Sequence, residues 1–136
     1  MVSKYYRFKL ITMKKIMLIE DDNDIADIVE IVLSSKYKVY AHRNGFGIVE
    51  ALQKHLPDVI LIFNNIGQKT AAGIIDEIKS SGILSIPPYI LFSASPDIEA
   101  ITKQIGAVSY LAKPFEFEQL YDCIKKALNL SVTATQ

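Results

Sequence analysis

Tryptophan is absent from this chain, and cysteine occurs once, at Cys123. A lone thiol cannot close an internal disulfide, and such cysteine usage fits a reducing compartment, the cytoplasm. Charge of one sign is missing too: fifteen basic residues meet fifteen acidic ones. That balance gives no support to broad binding of nucleic acid or of an anionic membrane, and neither is expected as a partner. No apolar run approaches the roughly 18 residues of a membrane span. Histidine occurs only at His42 and His55, isolated and without ligand spacing, so both read as surface residues.

What is present is a globular composition. Half of the 136 residues are apolar and 22% are charged, enough for one domain with a sizeable core. The N-terminus stands apart: Lys4, Arg7 and Lys9 alternate with Tyr5, Tyr6, Phe8, Leu10 and Ile11. A signal peptide needs a longer apolar stretch and a small-residue cleavage site. Residues 1–13 therefore read as a leader outside the domain, with Met13 resembling a second start. The alternative is that Tyr5, Tyr6 and Phe8 dock on a sheet edge or a partner.

Short apolar runs, mostly β-branched, recur between segments of helical spacing. Residues 16–19 (IMLI) read as a buried strand, ended by Glu20, Asp21 and Asp22. Asp22 or Asn23 caps the helix whose inner face is Ile25, Ile28, Val29 and Val32. A weaker strand at 38–41 is followed by the Asn44-Gly45 turn and a short helix ending near His55. Residues 58–63 (DVILIF) form the clearest buried strand, and 64–70 read as polar loop with Gly67. Ile74, Ile75 and Ile78 mark a third helix that ends near Gly82. Strand four is 89–92, after Pro87-Pro88, and helix four starts from Ser95 as cap with Pro96 at its first helical position. Ile98, Ile101 and Ile105 line that helix, and Gly106 stops it. A fifth strand at 108–112 and a helix through Phe117, Leu120, Ile124 and Leu128 complete the domain, with Cys123 beside the inner stripe as packing. The division is thus leader 1–13, domain 14–129 and a small, polar, flexible tail 130–136. Five alternating strand–helix pairs imply an α/β fold, a parallel sheet covered on both faces. Function then belongs at the carboxyl ends of the strands.

Strand one ends in consecutive acids, which need a cation or a donor nearby. Asp22 and Asp24 suit a helix N-terminus, whereas Glu20 and Asp21 sit directly at the strand end and read as pocket residues. Hard cations such as Mg2+ take carboxylate oxygens of this kind. Strand four ends in Ser93, whose hydroxyl can donate to a phosphoryl oxygen or bond the local backbone. Strand five ends in Lys113-Pro114; the lysine can neutralise the acids or hold a phosphoryl group as a point charge.

These pieces, in this order and spacing, resemble the receiver domain of response regulators in two-component signalling. The matching stretches are KIMLIEDD at 15–22, PDVILI at 57–62, FSA at 92–94 and GAVSYLAKPF at 106–115. The resemblance implies a flavodoxin-like sheet of order 2-1-3-4-5 with five helices. It also implies that Glu20 and Asp21 are the metal-binding acidic pair, Ser93 the switch hydroxyl and Tyr110 the switch aromatic. Lys113 is then the phosphate-sensing lysine, its bond to Pro114 cis.

One position departs from that pattern. The family's phosphoacceptor aspartate ends strand three, and here that position is Phe63. Acyl phosphate formation needs a carboxylate, which neither a phenyl ring nor the amides of Asn64 and Asn65 provide. Asp58, at the far end of the strand, is about 16 Å away at ~3.3 Å per residue. Gly67 stands where the family has proline, and Thr70-Ala71 where it often has Asp-Gly. The catalytic residues are therefore none, while the acids and the lysine remain, with Lys113 expected to pair directly with Asp21.

The expected function is a non-enzymatic signalling module in a two-component phosphorelay, acting by protein contact without phosphorylation. Its partner would be a histidine kinase or a downstream signalling protein. The resemblance points to the face of helix four, strand five and helix five: residues 100–103, Tyr110 and 121–125. No cofactor is required, and Mg2+ binds Glu20 and Asp21 weakly if at all. The competing reading is a receiver that accepts phosphate from a histidine kinase at a non-standard site. A third, a nucleotide-binding domain, lacks a glycine-rich loop after strand one, where acids would repel an anion. A DNA-binding module needs far more chain than residues 131–136, so output is expected through a bound partner if the sequence is complete, and through the remaining part if it is cut from a longer protein.

Overall fold

The computed structural model describes residues 13–134, the side chains of 131–134 excepted. The leader, apart from Met13, lies outside the described residues, as do residues 135–136. The chain alternates β1 (Lys15–Ile19), α1 (Asn23–Leu33), β2 (Lys38–His42), α2 (Ile48–His55), β3 (Val59–Phe63), the short β4 (Asn65–Ile66) and β5 (Lys69–Thr70), α3 (Ala71–Ser80), β6 (Tyr89–Ser93), α4 (Ile98–Ile105), β7 (Ser109–Ala112) and α5 (Phe117–Ala134).

The five main strands form one sheet in the order β2-β1-β3-β6-β7, every pair parallel. This is the 2-1-3-4-5 order expected from the sequence, a flavodoxin-like fold with five helices. β3 and β6 are buried along their whole length, which is why they are continuous apolar runs rather than alternating ones. At the register of β3 on β6, Phe63 lies beside Phe92, so two aromatic rings meet at the carboxyl edge. The 113–114 peptide bond is cis, as the resemblance implies.

Several details differ from the sequence reading. The buried face of α1 is Ala26, Val29 and Leu33, with Ile25 and Val32 half-buried and Ile28 52% exposed. Ala26 lets the helix approach the sheet closely, and the apolar stripe is rotated by roughly one position. Asp22 caps α1, accepting from the amides of Asp24 and Ile25. α4 begins at Ile98 rather than at Pro96. Ser95 Oγ accepts from Asp97 N at 3.1 Å, so the hydroxyl closes a turn ahead of the helix instead of capping it. Gly106, at φ 78°, ends α4 as expected. α5 continues to Ala134, beyond the domain end placed at 129.

The segment read as plain loop holds a two-residue antiparallel hairpin, Asn65 opposite Thr70 and Ile66 opposite Lys69. Its turn contains Gly67 at φ 62°, and Ile66 is its one buried side chain. A single apolar residue gives no periodicity to detect, which is why the hairpin is hidden in the sequence.

Candidate functional site

Four strands deliver the site residues to one edge of the sheet. Glu20 follows β1, and its amide donates to His42 O at 3.1 Å, extending the pairing with β2 by one residue. This places the carboxylate inside the fold, only 3% exposed. Oε1 accepts from Asp22 N at 3.0 Å, while the buried Oε2 has no hydrogen-bond partner. Burial raises the Glu20 pKa; the Asp22 amide and the positive charge of Lys113 oppose that rise.

Asp21 faces the other way, outward toward the β4–β5 hairpin. Its Oδ2 accepts from Gly67 N at 2.6 Å. Lys113 leaves β7 with its amide donating to Ser93 O at 2.9 Å. Its ammonium nitrogen lies 4.1 Å from the centroid of the Phe63 ring. Among the described residues no ion pair joins Lys113 to Asp21, so the expected direct contact is corrected. Asp21 is held by a backbone amide on the far side, and the lysine meets a ring face whose quadrupole attracts cations.

Phe63 is 2% exposed and tilts against Phe92 at 4.9 Å, which in turn meets Phe115 edge-on at 5.1 Å. The ring is therefore a packed core residue that also forms the floor beneath Lys113. Ser93 is buried, and its hydroxyl oxygen accepts from Ser95 N at 3.0 Å. Tyr110 is 39% exposed and stands on the α4 side of the sheet, apart from this cluster.

The residues do not fit a strong magnesium site. Asp21 is already engaged by Gly67, the third position of the cluster is a phenyl ring, and no group of three or more potential ligands is assembled among the described residues. Mg2+ demands near-octahedral oxygen ligation, which two diverging carboxylates support poorly. The histidines take no part: His55 stacks on Tyr40 at 3.9 Å, and a ring nitrogen of His42 meets Phe46 O. Cys123 is half-buried against Ser109, and burial raises its pKa, consistent with packing.

The model of the response regulator receiver domain matches residues 16–125. The chain belongs to that family. Receiver domains are signalling modules of two-component systems rather than classical enzymes, and they engage histidine kinases and other proteins. This receiver is 28% identical over 127 residues to a probable C4-dicarboxylate response regulator, DctR, of Priestia megaterium, covering 89% of this chain and 54% of that one. It therefore spans about half the length of that relative. Over 120 residues it is 26% identical to sporulation initiation phosphotransferase F of Bacillus subtilis (strain 168), covering 86% of this chain and 95% of that one. The crystal structure of the chemotaxis protein CheY4 of Vibrio cholerae superposes with a TM-score of 0.76 at 24% identity, over 86% of this chain and all of that one. At that identity the likeness concerns the fold.

Sequence reasoning missed two features of this receiver. One is the Asp21–Gly67 bond, for which a glycine in a polar loop is the available signal. The other is an apolar groove beside Lys113, lined by Ile25, Ile28, Val29, Pro114, Phe115 and Phe117. Periodicity alone places Ile28 in the core, and its exposure opens this groove. No helix among the described residues is long and apolar enough to cross a membrane.

Proposed function

We propose that this receiver domain signals by protein–protein contact, without accepting a phosphoryl group, and that it does so in the cytoplasm. The observation that carries the reading is Phe63 at the carboxyl end of β3, buried beneath Lys113. A phosphoacceptor must present a carboxylate oxygen to its donor, and this position presents a ring. The lysine, which would otherwise answer to a phosphoryl group, has a permanent neighbour in that ring.

The partner is a histidine kinase or a downstream signalling protein, bound through the face of α4, β7 and α5. Tyr110 and Val108 are exposed there, beside a shallow depression of ≈ 400 Å³ that includes Thr102 and Lys103. Exposed apolar and aromatic groups on an otherwise polar face favour protein contact. The groove at Ile28 and Phe117 offers a second apolar contact face on the α1 side. Nucleic acid and membrane are not partners in this reading.

Incubation with acetyl phosphate and Mg2+, followed by intact mass measurement, tests the proposal. The expected mass is unchanged. A stoichiometric, hydroxylamine-labile gain of one phosphoryl group would establish a non-standard acceptor instead.

A further inference from the structure

α1 and α5 are tied together at one level and open at the next. Tyr121 Oη donates to Val32 O at 2.5 Å, closing the seam between the two helices. One turn earlier on each helix stand Ile28 and Phe117, and there the seam is open: they are 52% and 50% exposed. The apolar groove beside Lys113 lies at this opening, with a cavity of ≈ 450 Å³. Ile31, 74% exposed, carries the apolar surface on along α1. From Ile25 to Ile31 the strip runs about 9 Å, at ~1.5 Å per residue. A continuous exposed apolar strip marks a contact site, where scattered single residues would not.

Charge decides what fits it. Asp24, one turn before Ile28, and Glu116 and Glu118, on either side of Phe117, are exposed beside the groove. None of the three is in an ion pair among the described residues, whereas Asp27 on the same helix is taken by Arg43 at 2.6 Å. The cation in the lining, Lys113, is turned onto the Phe63 ring. The border is therefore acidic. A second copy seated here across a two-fold axis would set these acids against themselves. An anionic lipid surface would be repelled. A small-molecule site needs several convergent polar groups, and Lys113 is the one lining residue with a polar side chain. An elongated apolar strip between two helices, with an acidic border, suits a third helix that is apolar on one face and basic at its flanks.

We propose that the α1–α5 groove docks a basic amphipathic helix of a partner protein. Its apolar stripe packs on Ile28, Ile31 and Phe117, and lysines or arginines beside that stripe meet Asp24, Glu116 and Glu118. This rests on the reading that the receiver works by protein contact, and it gives one such contact its chemistry.

The probe is a synthetic helix of about 14 residues, with leucines three and four apart and lysines on both flanks. Titrated into the isotope-labelled full chain, it should shift the amides of Ile28, Ile31 and Phe117. A scramble of the same composition, and a version with glutamates in place of the lysines, should not. Ile28→Ser and Phe117→Ser, both at half-exposed positions, should each weaken binding about tenfold, the loss of one apolar anchor. Asp24→Lys combined with Glu118→Lys should reverse the preference, so that the glutamate version binds instead. No binding of the lysine helix, equal binding of the two charge versions, or shifts confined to Val108 and Tyr110 would each overturn the proposal. So would a dimer of the parent that Ile28→Ser abolishes in sedimentation, which makes a second copy the occupant. Binding to phosphatidylglycerol vesicles that is lost in the same variant would overturn it too. The two readings fail separately: a phosphoryl gain from acetyl phosphate refutes signalling by contact alone, whereas failure of the peptide titration refutes only this groove as the contact.

Discussion

The Lys113 ammonium sits over the Phe63 ring, 4.1 Å from its centroid, in a position where a receiver's lysine would be expected to face a carboxylate. The ring supplies a partial negative face but no proton acceptor. If the attraction is electrostatic, it vanishes when the charge is removed and the alkyl stem is kept. A double-mutant cycle with Lys113→Met and Phe63→Leu is expected to give a coupling of ~0.5–2 kcal/mol in denaturant unfolding. A coupling near zero would mean that only the stem packs on the ring.

Phe63→Asp places a third oxygen ligand beside Glu20 and Asp21, so Mg2+ affinity should rise over that of the parent. The same change removes a buried aromatic, a loss of ~3–5 kcal/mol by analogy with large-to-small substitutions, and places a charge in the core. Without metal the variant should melt well below the parent, and saturating Mg2+ should recover part of the difference. Calorimetric titration of both proteins is the check. Equal or tighter Mg2+ binding by the parent would refute this account of the pocket.

Glu20 makes the stability depend on pH. Its folded pKa is raised above 4.5, chiefly by burial, so the folded state binds the proton more tightly than the unfolded chain. The resulting stabilisation is fully present below about the unfolded value and is lost as pH rises through the folded one. Stability of the parent relative to Glu20→Gln should therefore fall as pH increases above 4.5 and then level off. A difference that stays flat from pH 4 to 8, or that grows with pH, would show that the carboxyl is not desolvated in solution.

How far the sequence reveals this molecule can be judged from particular residues. The strand runs, the strand order and the cis bond before Pro114 follow from patterns confined to single elements or to the family's spacing. The positions of Glu20, Ser93 and Lys113 follow because each ends a strand, and strand ends in a parallel sheet converge. What Lys113 touches was not legible. Charge complementarity selects Asp21, but Asp21 diverges to the hairpin and Glu20 turns inward, a choice made by backbone direction rather than by residue type. The exposure of Ile28 was equally hidden: Ile25, Ile28, Val29 and Val32 repeat at helical spacing whichever side faces the sheet. The small Ala26, fully buried, marks the side that faces inward.

The bond from Gly67 N to Asp21 Oδ2, at 2.6 Å, ties the β4–β5 hairpin over the acidic corner. The hairpin has little else to hold it. Ile66 is buried, Ala71 N donates to Asn64 O at 2.9 Å, and Lys69 reaches Gly45 O and Glu77. A charged acceptor on a backbone amide is worth roughly 1.5–3 kcal/mol when sheltered and less at an exposed position such as this one. Asp21→Ala should therefore lower global stability by only about 1 kcal/mol, yet release the hairpin locally. Hydrogen exchange resolves the two effects: the Gly67 amide should lose protection, while the Phe92 amide in β6 changes only with global stability. Asp21→Asn keeps a neutral acceptor and should fall between the parent and the alanine variant. Unchanged protection at Gly67 in Asp21→Ala would mean that the hairpin is held by Ile66 and Lys69 alone. Mg2+ supplies a second readout, because metal and amide compete for the same carboxylate. In Phe63→Asp, where metal binds, adding Mg2+ should speed Gly67 exchange, whereas in the parent it should leave that amide nearly unchanged.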